Sequence, residues 1–173
     1  FITGYVQNVP LFTESTVFSD TNVADFSRFR LSSEPTFGPI SFGVAYEHAL
    51  TLTRRNAGSG FNVGVVPAGG EWLALQWDPA QKTQVGWRHR FDRLYVRWSP
   101  QPAVEMTIGR QVVSWGTTLF LTPADPFLPF NPADPFREFR AGVDAARIKF
   151  SPSPLSAIDI VVRPTKTIVG EEV

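Results

Sequence analysis

The chain has 173 residues, 16 basic against 16 acidic side chains, and no cysteine. A formal net charge of +0 gives no reason to expect a nucleic-acid partner, and without cysteine neither disulfides nor thiolate metal sites are available. No apolar run approaches the ~20 residues of a transmembrane helix, while 15 prolines and 13 glycines argue against a helical protein.

In chain order, the sequence alternates between period-2 segments and breakers. Residues 1–7 form a first short strand, followed by a polar loop over 8–24 with Pro10, Glu14, Asp20 and Asn22. Over 25–33, Phe29 and Leu31 oppose Arg28 and Arg30, and the prolines and glycine of 34–39 close a tight turn. The clearest strand is 40–52: Ile40, Phe42, Val44, Tyr46 and Leu50 share a face that also carries His48, with Glu47 on the other. Residues 53–87 are read as a long loop, in which Phe61–Val66 and Glu71–Trp77 either pair as a hairpin or leave the second piece as a helical turn.

Alternation returns over 88–99, where Leu94, Val96 and Trp98 oppose Arg93, Tyr95 and Arg97. A short proline turn at 100–102 leads into a strand over 103–113, with Val104, Met106 and Ile108 on one side and Glu105 on the other. A Pro/Phe/Asp-rich loop spans 114–142. The strand at 143–151 then sets Ala146, Ile148 and Phe150 against Arg147 and Lys149. After a turn at 152–155, residues 157–165 set Ile158, Ile160 and Val162 against Asp159 and Arg163.

Long charged side chains occupy the polar face strand after strand, and three short turns alternate with three long loops. This is the habit of an antiparallel transmembrane β-barrel, whose strands of about 9–11 residues cross the bilayer tilted. The fold class expected is therefore all-β. Seven strands cannot close as a bacterial single-chain barrel, which uses even numbers from about 8 upward. The whole of 1–173 is thus expected to be the N-terminal portion of one larger barrel domain, its signal peptide removed or outside this chain, with a second chain completing the barrel as the alternative.

Specific motifs narrow the class. Ile108-Gly109-Arg110-Gln111, Ser114-Trp115-Gly116, Asn131-Pro132-Ala133-Asp134-Pro135-Phe136 and Gly142-Val143-Asp144-Ala145-Ala146-Arg147 together resemble Gram-negative outer-membrane porin-like barrels, the alginate-export-type channels and their relatives among them. The segment Arg88-His89-Arg90-Phe91-Asp92-Arg93-Leu94 is similar to the same group. The resemblance covers roughly 87–150. It implies a passive outer-membrane channel of about 12 to 18 strands, with the outer-membrane bilayer as its partner; a protein partner or further copies of the chain are the other candidates.

By parity Arg28, Arg30, Arg93, Arg97, Arg147, Lys149 and Arg163 face the polar side with Glu47, Glu105 and Asp159, seven cations against three carboxylates. In a channel such a wall attracts anionic solutes, small or polymeric; the alternative is that these arginines pair with carboxylates elsewhere in the barrel. Strict alternation puts Arg110 on the lipid side, at a cost of about 2–4 kcal/mol near mid-membrane. A bulge at Gly109 that turns Arg110 towards the solute is the expectation.

The loop containing Asp125, Phe127, Phe130, Asn131, Asp134 and Phe136 carries a near-repeat, Thr122–Phe127 and Asn131–Phe136. It is expected to form either an inward constriction or an outer lid. Asp125, Asn131, Asp134 and Asp144 match no calcium-loop spacing, and no metal or cofactor is expected. His48 and His89 have no serine placed for a hydrolytic pair, so no enzyme is expected and both histidines are read as interfacial. The five tryptophans are read as interface anchors, with a sugar-stacking track as the alternative. Two competing functions remain: a structural barrel sheathing a partner such as a cytochrome or secretion component, and a soluble β-sandwich that binds carbohydrate.

Overall fold

The computed structural model describes residues 1–13, 22–53, 71–82, 84–113, 141–153 and 155–164. These form one antiparallel sheet with no helix among them. Its strands are β1 (Ile2–Thr13), β2 (Asn22–Ser33), β3 (Thr36–Phe37), β4 (Ile40–Thr53), β5 (Gln76–Lys82), β6 (Val85–Gln101), β7 (Val104–Gln111), β8 (Val143–Ser153) and β9 (Ser156–Val162). Spatial order follows chain order, β1-β2-β4-β6-β7-β8-β9, with β3 beside β4 and β5 beside β6. The free edges of β1 and β9 have no partner strand among the described residues.

Strands run further than alternation alone indicates. The segments read as loops at 8–24 and 53–87 contribute the end of β1, the start of β2, all of β5 and the start of β6. The reason is edge chemistry. Pro10 lies opposite Asp25 in β1, which among the described residues has a neighbour on one side only, where a missing N–H costs no ladder bond. Pro79 falls in β5 where the register against β6 shifts between Trp77 and Ala80. The Glu71–Trp77 piece is not a helical turn: residues 71–75 are irregular and the chain enters β5 at Gln76. Phe61–Val66 lies outside the described residues.

β6 is the longest strand, and it serves two neighbours on one side. Its Leu94–Gln101 half pairs with β7, and its Val85–Arg90 half pairs with β5, which continues the line of β7. Between the halves sits a bulge: Ala45 of β4 faces Arg93, the next residue Tyr46 faces Phe91, and Asp92 is the extra residue. The bulge reverses parity, so Trp87, His89 and Phe91 join the same face as Leu94, Val96 and Trp98.

The two faces of the sheet are inverted relative to a soluble domain. One is exposed and apolar, with Phe42, Val96, Trp98, Ile108, Ile148 and Ile160 all open to the surroundings. The other buries charge. Arg28, Arg90, Asp92 and Phe26 on it are four of the five largest fully buried side chains, Arg110 being the fifth. Apolar packing is confined to small clusters, Phe26 with Ala49 and Val9, and Val113 with Val143, Ala145 and Val161.

Gly109 does not form a bulge. The ladders run through it in unbroken register, opposite Tyr95 on β6 and Ala145 on β8. It instead takes φ +118°, and a Cβ there would overlap the Leu94 carbonyl. Gly109→Ala is therefore expected to destabilise the folded chain by about 1–3 kcal/mol. A urea-unfolding midpoint equal to that of the wild type would contradict the strain argument.

Candidate functional site: the charged face

Charged side chains form three groups, two of them on the face opposite the apolar one and the other at positions in line with the apolar face. The first follows from register. Arg30 of β2 is directly opposite Glu47 of β4, which is opposite Arg90 of β6. Arg30 donates from Nη1 to Glu47 Oε2 at 3.2 Å and from Nη2 to Asp92 Oδ2 at 2.8 Å. Arg90 Nη2 donates to Asp92 Oδ1 at 2.8 Å and lies 3.7 Å from Glu47 Oε1. Arg28 Nε is 4.0 Å from Glu47 Oε1, with its guanidinium carbon 4.9 Å from the Phe26 ring centroid. All five charged groups are buried. In low dielectric such charges persist only when mutually paired.

The second group is built on Arg110 and Asp144, directly opposite each other on β7 and β8. Arg110 holds Asp144 through two bonds, Nε to Oδ1 at 2.8 Å and Nη2 to Oδ2 at 3.0 Å. Both sit at even positions whose neighbours Ile108 and Ala146 are exposed, yet both are buried. The irregular 71–75 segment covers them. Trp72 and Leu73 N–H groups each donate to Asp144 Oδ2 at 2.8 Å, the Leu73 carbonyl accepts from Arg110 Nη2 at 2.7 Å, and Glu71 Oε2 lies 3.1 Å from Arg110 Nη2. Burial pushes the Glu71 carboxyl above the usual carboxylate range, with the Arg110 charge acting in the opposite sense. Arg110 is thus 1 % exposed and tied to the junction of β7 and the 71–75 segment, with no bulge at Gly109 to turn it.

A third group lies towards the short turns and is only partly buried. Arg97 Nη1 donates to Glu34 Oε1 at 2.6 Å and its Nε lies 3.7 Å from Glu105 Oε1. Arg147 forks onto Asp159 at 2.8 and 2.5 Å. Lys149 is exposed and stands opposite Glu105 in the ladder. Arg93 lies 3.8 Å from Asp92 through Nε, and that Nε has no hydrogen-bond partner. Arg163 is half-buried just past the end of β9.

The residues selected by parity therefore separate. Arg28, Arg30 and Glu47 meet in the buried network. Arg93, Arg97, Glu105, Arg147 and Lys149 spread along the short-turn end, and Arg110 stands apart. Asp125, Phe127, Phe130, Asn131, Asp134 and Phe136 lie outside the described residues, as does Trp115. Parity missed Arg90 and Asp92, which the bulge turns to the charged face. It also missed Asp144, Glu71 and Glu34, the last two lying outside the strands. The bulge had a signal: apolar parity switches from Trp87, His89 and Phe91 to Leu94, Val96 and Trp98.

On the opposite face, an aromatic cluster crosses β4, β6 and β5. His48 and His89 stack at 4.9 Å, Trp77 stacks on His89 at 5.2 Å, and Trp87 Nε1 donates to His48 Nε2 at 2.7 Å. Tyr46 hydroxyl and His89 Nδ1 are hydrogen-bonded at 2.5 Å. Both histidines are thereby occupied in structural contacts, with no hydrolytic serine beside them in these contacts.

Removing one partner of a buried pair strands the other charge. Asp92→Ala, which orphans Arg30 and Arg90, is expected to cost about 3–5 kcal/mol. Arg88→Ala, which breaks the half-exposed 2.7 Å pair with Asp78, is expected to cost less than about 1 kcal/mol. Equilibrium urea unfolding of both variants checks the contrast; equal losses would show that the network is not held by pairing.

Comparison with models of known families, with characterised proteins and with solved structures finds no match to this chain.

Proposed function

We propose that this chain is a wall segment of an outer-membrane β-barrel channel that passes small or polymeric anionic solutes. The observation that carries this reading is the inversion of the sheet: large apolar side chains are exposed on one face, and buried, paired charge fills the other. In water the first face is a contiguous apolar surface far beyond what a soluble monomer leaves open; against lipid it needs no cover. Unpaired edges of β1 and β9 would leave N–H and C=O groups bare in hydrocarbon, so the reading requires further strands to close the sheet.

Dimensions support it. Trp87 and Trp98 mark the two ends of the apolar face on β6, eleven residues apart with the Asp92 bulge between them. Ten ladder steps at about 3.3 Å, tilted by about 40°, rise about 25 Å, the height of the apolar band of outer-membrane barrels. The aromatic cluster around His89 lies at one end of this span and Trp98 at the other, where amphipathic rings meet the headgroups.

Selectivity in this reading comes from the partly exposed group. Arg28 and Arg30 are sealed in the buried network, whereas Arg93, Arg97, Arg147, Lys149 and Arg163 stand with Glu34, Glu105 and Asp159, five cations to three carboxylates. The excess is small, so a modest anion preference is expected.

Two measurements test the reading. Leu94→Arg places charge near the middle of the apolar face and is expected to cost about 2–4 kcal/mol in a lipid-folded barrel; a soluble sheet would tolerate it. In planar bilayers, the full-length protein is expected to conduct with anion preference that falls in Arg97→Ala and Arg147→Ala. A correctly folded, silent barrel would overturn the channel.

A further inference from the structure

A cavity of about 340 Å³ opens on the charged face at the short-turn end of β1, β2, β4 and β6, lined by Thr3, Ser32, Ser33, Glu34, Arg93 and Tyr95 among others. We propose that it is a binding subsite for a short hydroxylated monocarboxylate, with Arg93 taking the carboxylate. The proposal deepens the channel reading by naming a solute class and a place on the wall, but binding at this cavity does not itself require conduction.

Charge bookkeeping singles out Arg93. Among the described residues its one carboxylate within ion-pair distance, Asp92, already accepts from Arg30 and Arg90 at 2.8 Å and from the Gly142 N–H at 3.2 Å. Asp92 meets Arg93 at 3.8 Å, too far for a hydrogen bond. The other carboxylate at the cavity, Glu34, is engaged by Arg97 at 2.6 Å. Arg93 is therefore a cation with an incomplete set of partners at the wall of a cavity, and a planar fork of donors matches a carboxylate.

The remaining lining suits a polyol tail. Thr3 and Ser32 hydroxyls, on the charged face, lie 2.9 Å apart and both can turn to a ligand. The Tyr95 ring lies against Gly43, where any side chain would overlap it, and so forms a fixed wall. At about 30 Å³ per water-sized group, the volume accepts roughly ten such groups. The Glu34 carboxylate in the same lining opposes a second negative charge, which favours a monocarboxylate over a phosphate dianion.

The test is titration calorimetry on the full-length protein folded in detergent micelles, with D-glycerate, glycerol and inorganic phosphate as probes. D-Glycerate is expected to bind, with glycerol and phosphate at least about tenfold weaker. Arg93→Gln is expected to weaken D-glycerate by about tenfold or more and Arg93→Lys by less. Ser32→Phe, on the charged face beside Ala45, fills the cavity while leaving Arg93 in place, and is expected to abolish binding. Wild-type affinity in Arg93→Gln, or in a folded Ser32→Phe, would overturn the subsite, and phosphate binding tighter than D-glycerate would overturn the monocarboxylate assignment. A silent channel that still binds D-glycerate through Arg93 would retire the channel and keep the subsite; a conducting channel that binds no D-glycerate would retire the subsite alone.

Discussion

Every guanidinium this sheet buries must meet a carboxylate, and Asp92 is where that constraint is met. It accepts from Arg30 on β2, from Arg90 on its own strand and from the Gly142 N–H at the start of β8. One side chain thereby ties three elements that are not consecutive in the chain. Asp92 reaches this position only because β6 holds one residue more than β4 across from it. The same extra residue turns Phe91, His89 and Trp87 onto the apolar face beside Tyr46 and His48, so a single insertion completes the ion network and the aromatic cluster together.

A sheet of this kind is unsuited to water on two separate counts. Among the described residues its apolar face is uncovered, and the outer edges of β1 and β9 have no partner strand. Covering the face with a second sheet, as a sandwich would, answers the first problem but leaves the buried charge on the wrong side: a sandwich keeps its apolar residues between the sheets and its charges outside. Lipid on the apolar face and closure at the edges answer both at once. That asymmetry favours the barrel over the sugar-binding sandwich on physical grounds.

Period 2 made most of the sheet legible. The strands at 25–33, 40–52 and 143–151 lie within β2, β4 and β8, because each carries alternating large apolar and charged residues that have only one workable arrangement. The strands that escaped lie where alternation is weak and proline intervenes, at Pro10 in β1 and Pro79 in β5. Proline reads as a breaker unless the strand is known to be an edge, and edges are a property of the assembled sheet. Side-chain partners were less legible still. Strict parity gave seven cations to three carboxylates, and the difference shrinks once Asp92, Asp144, Glu71 and Glu34 are counted beside Arg90 and Arg110. Asp92 was within reach, since the switch of apolar parity between Phe91 and Leu94 implies an inserted residue. Asp144 meets Arg110 only once the β7–β8 register is known, and Glu71 joins them only when the 71–75 segment is laid beside that pair.

This division changes what a charged wall means. Arginines of one sheet need not share a role: those paired with carboxylates in surroundings that exclude water are parts of the scaffold, and their charge is offset within it. Arg28, Arg30, Arg90 and Arg110 are of this kind, all buried. Arg97 and Arg147 keep about a third and a fifth of their side chains open while paired, so each presents a dipole to the surroundings. Arg93 differs from both sets, since the carboxylate nearest it is already fully committed to other donors. The field of the charged wall is thus set by how carboxylates are shared among arginines, and an aspartate engaged by Arg30 and Arg90 leaves Arg93 beside it at 3.8 Å without a hydrogen bond to it.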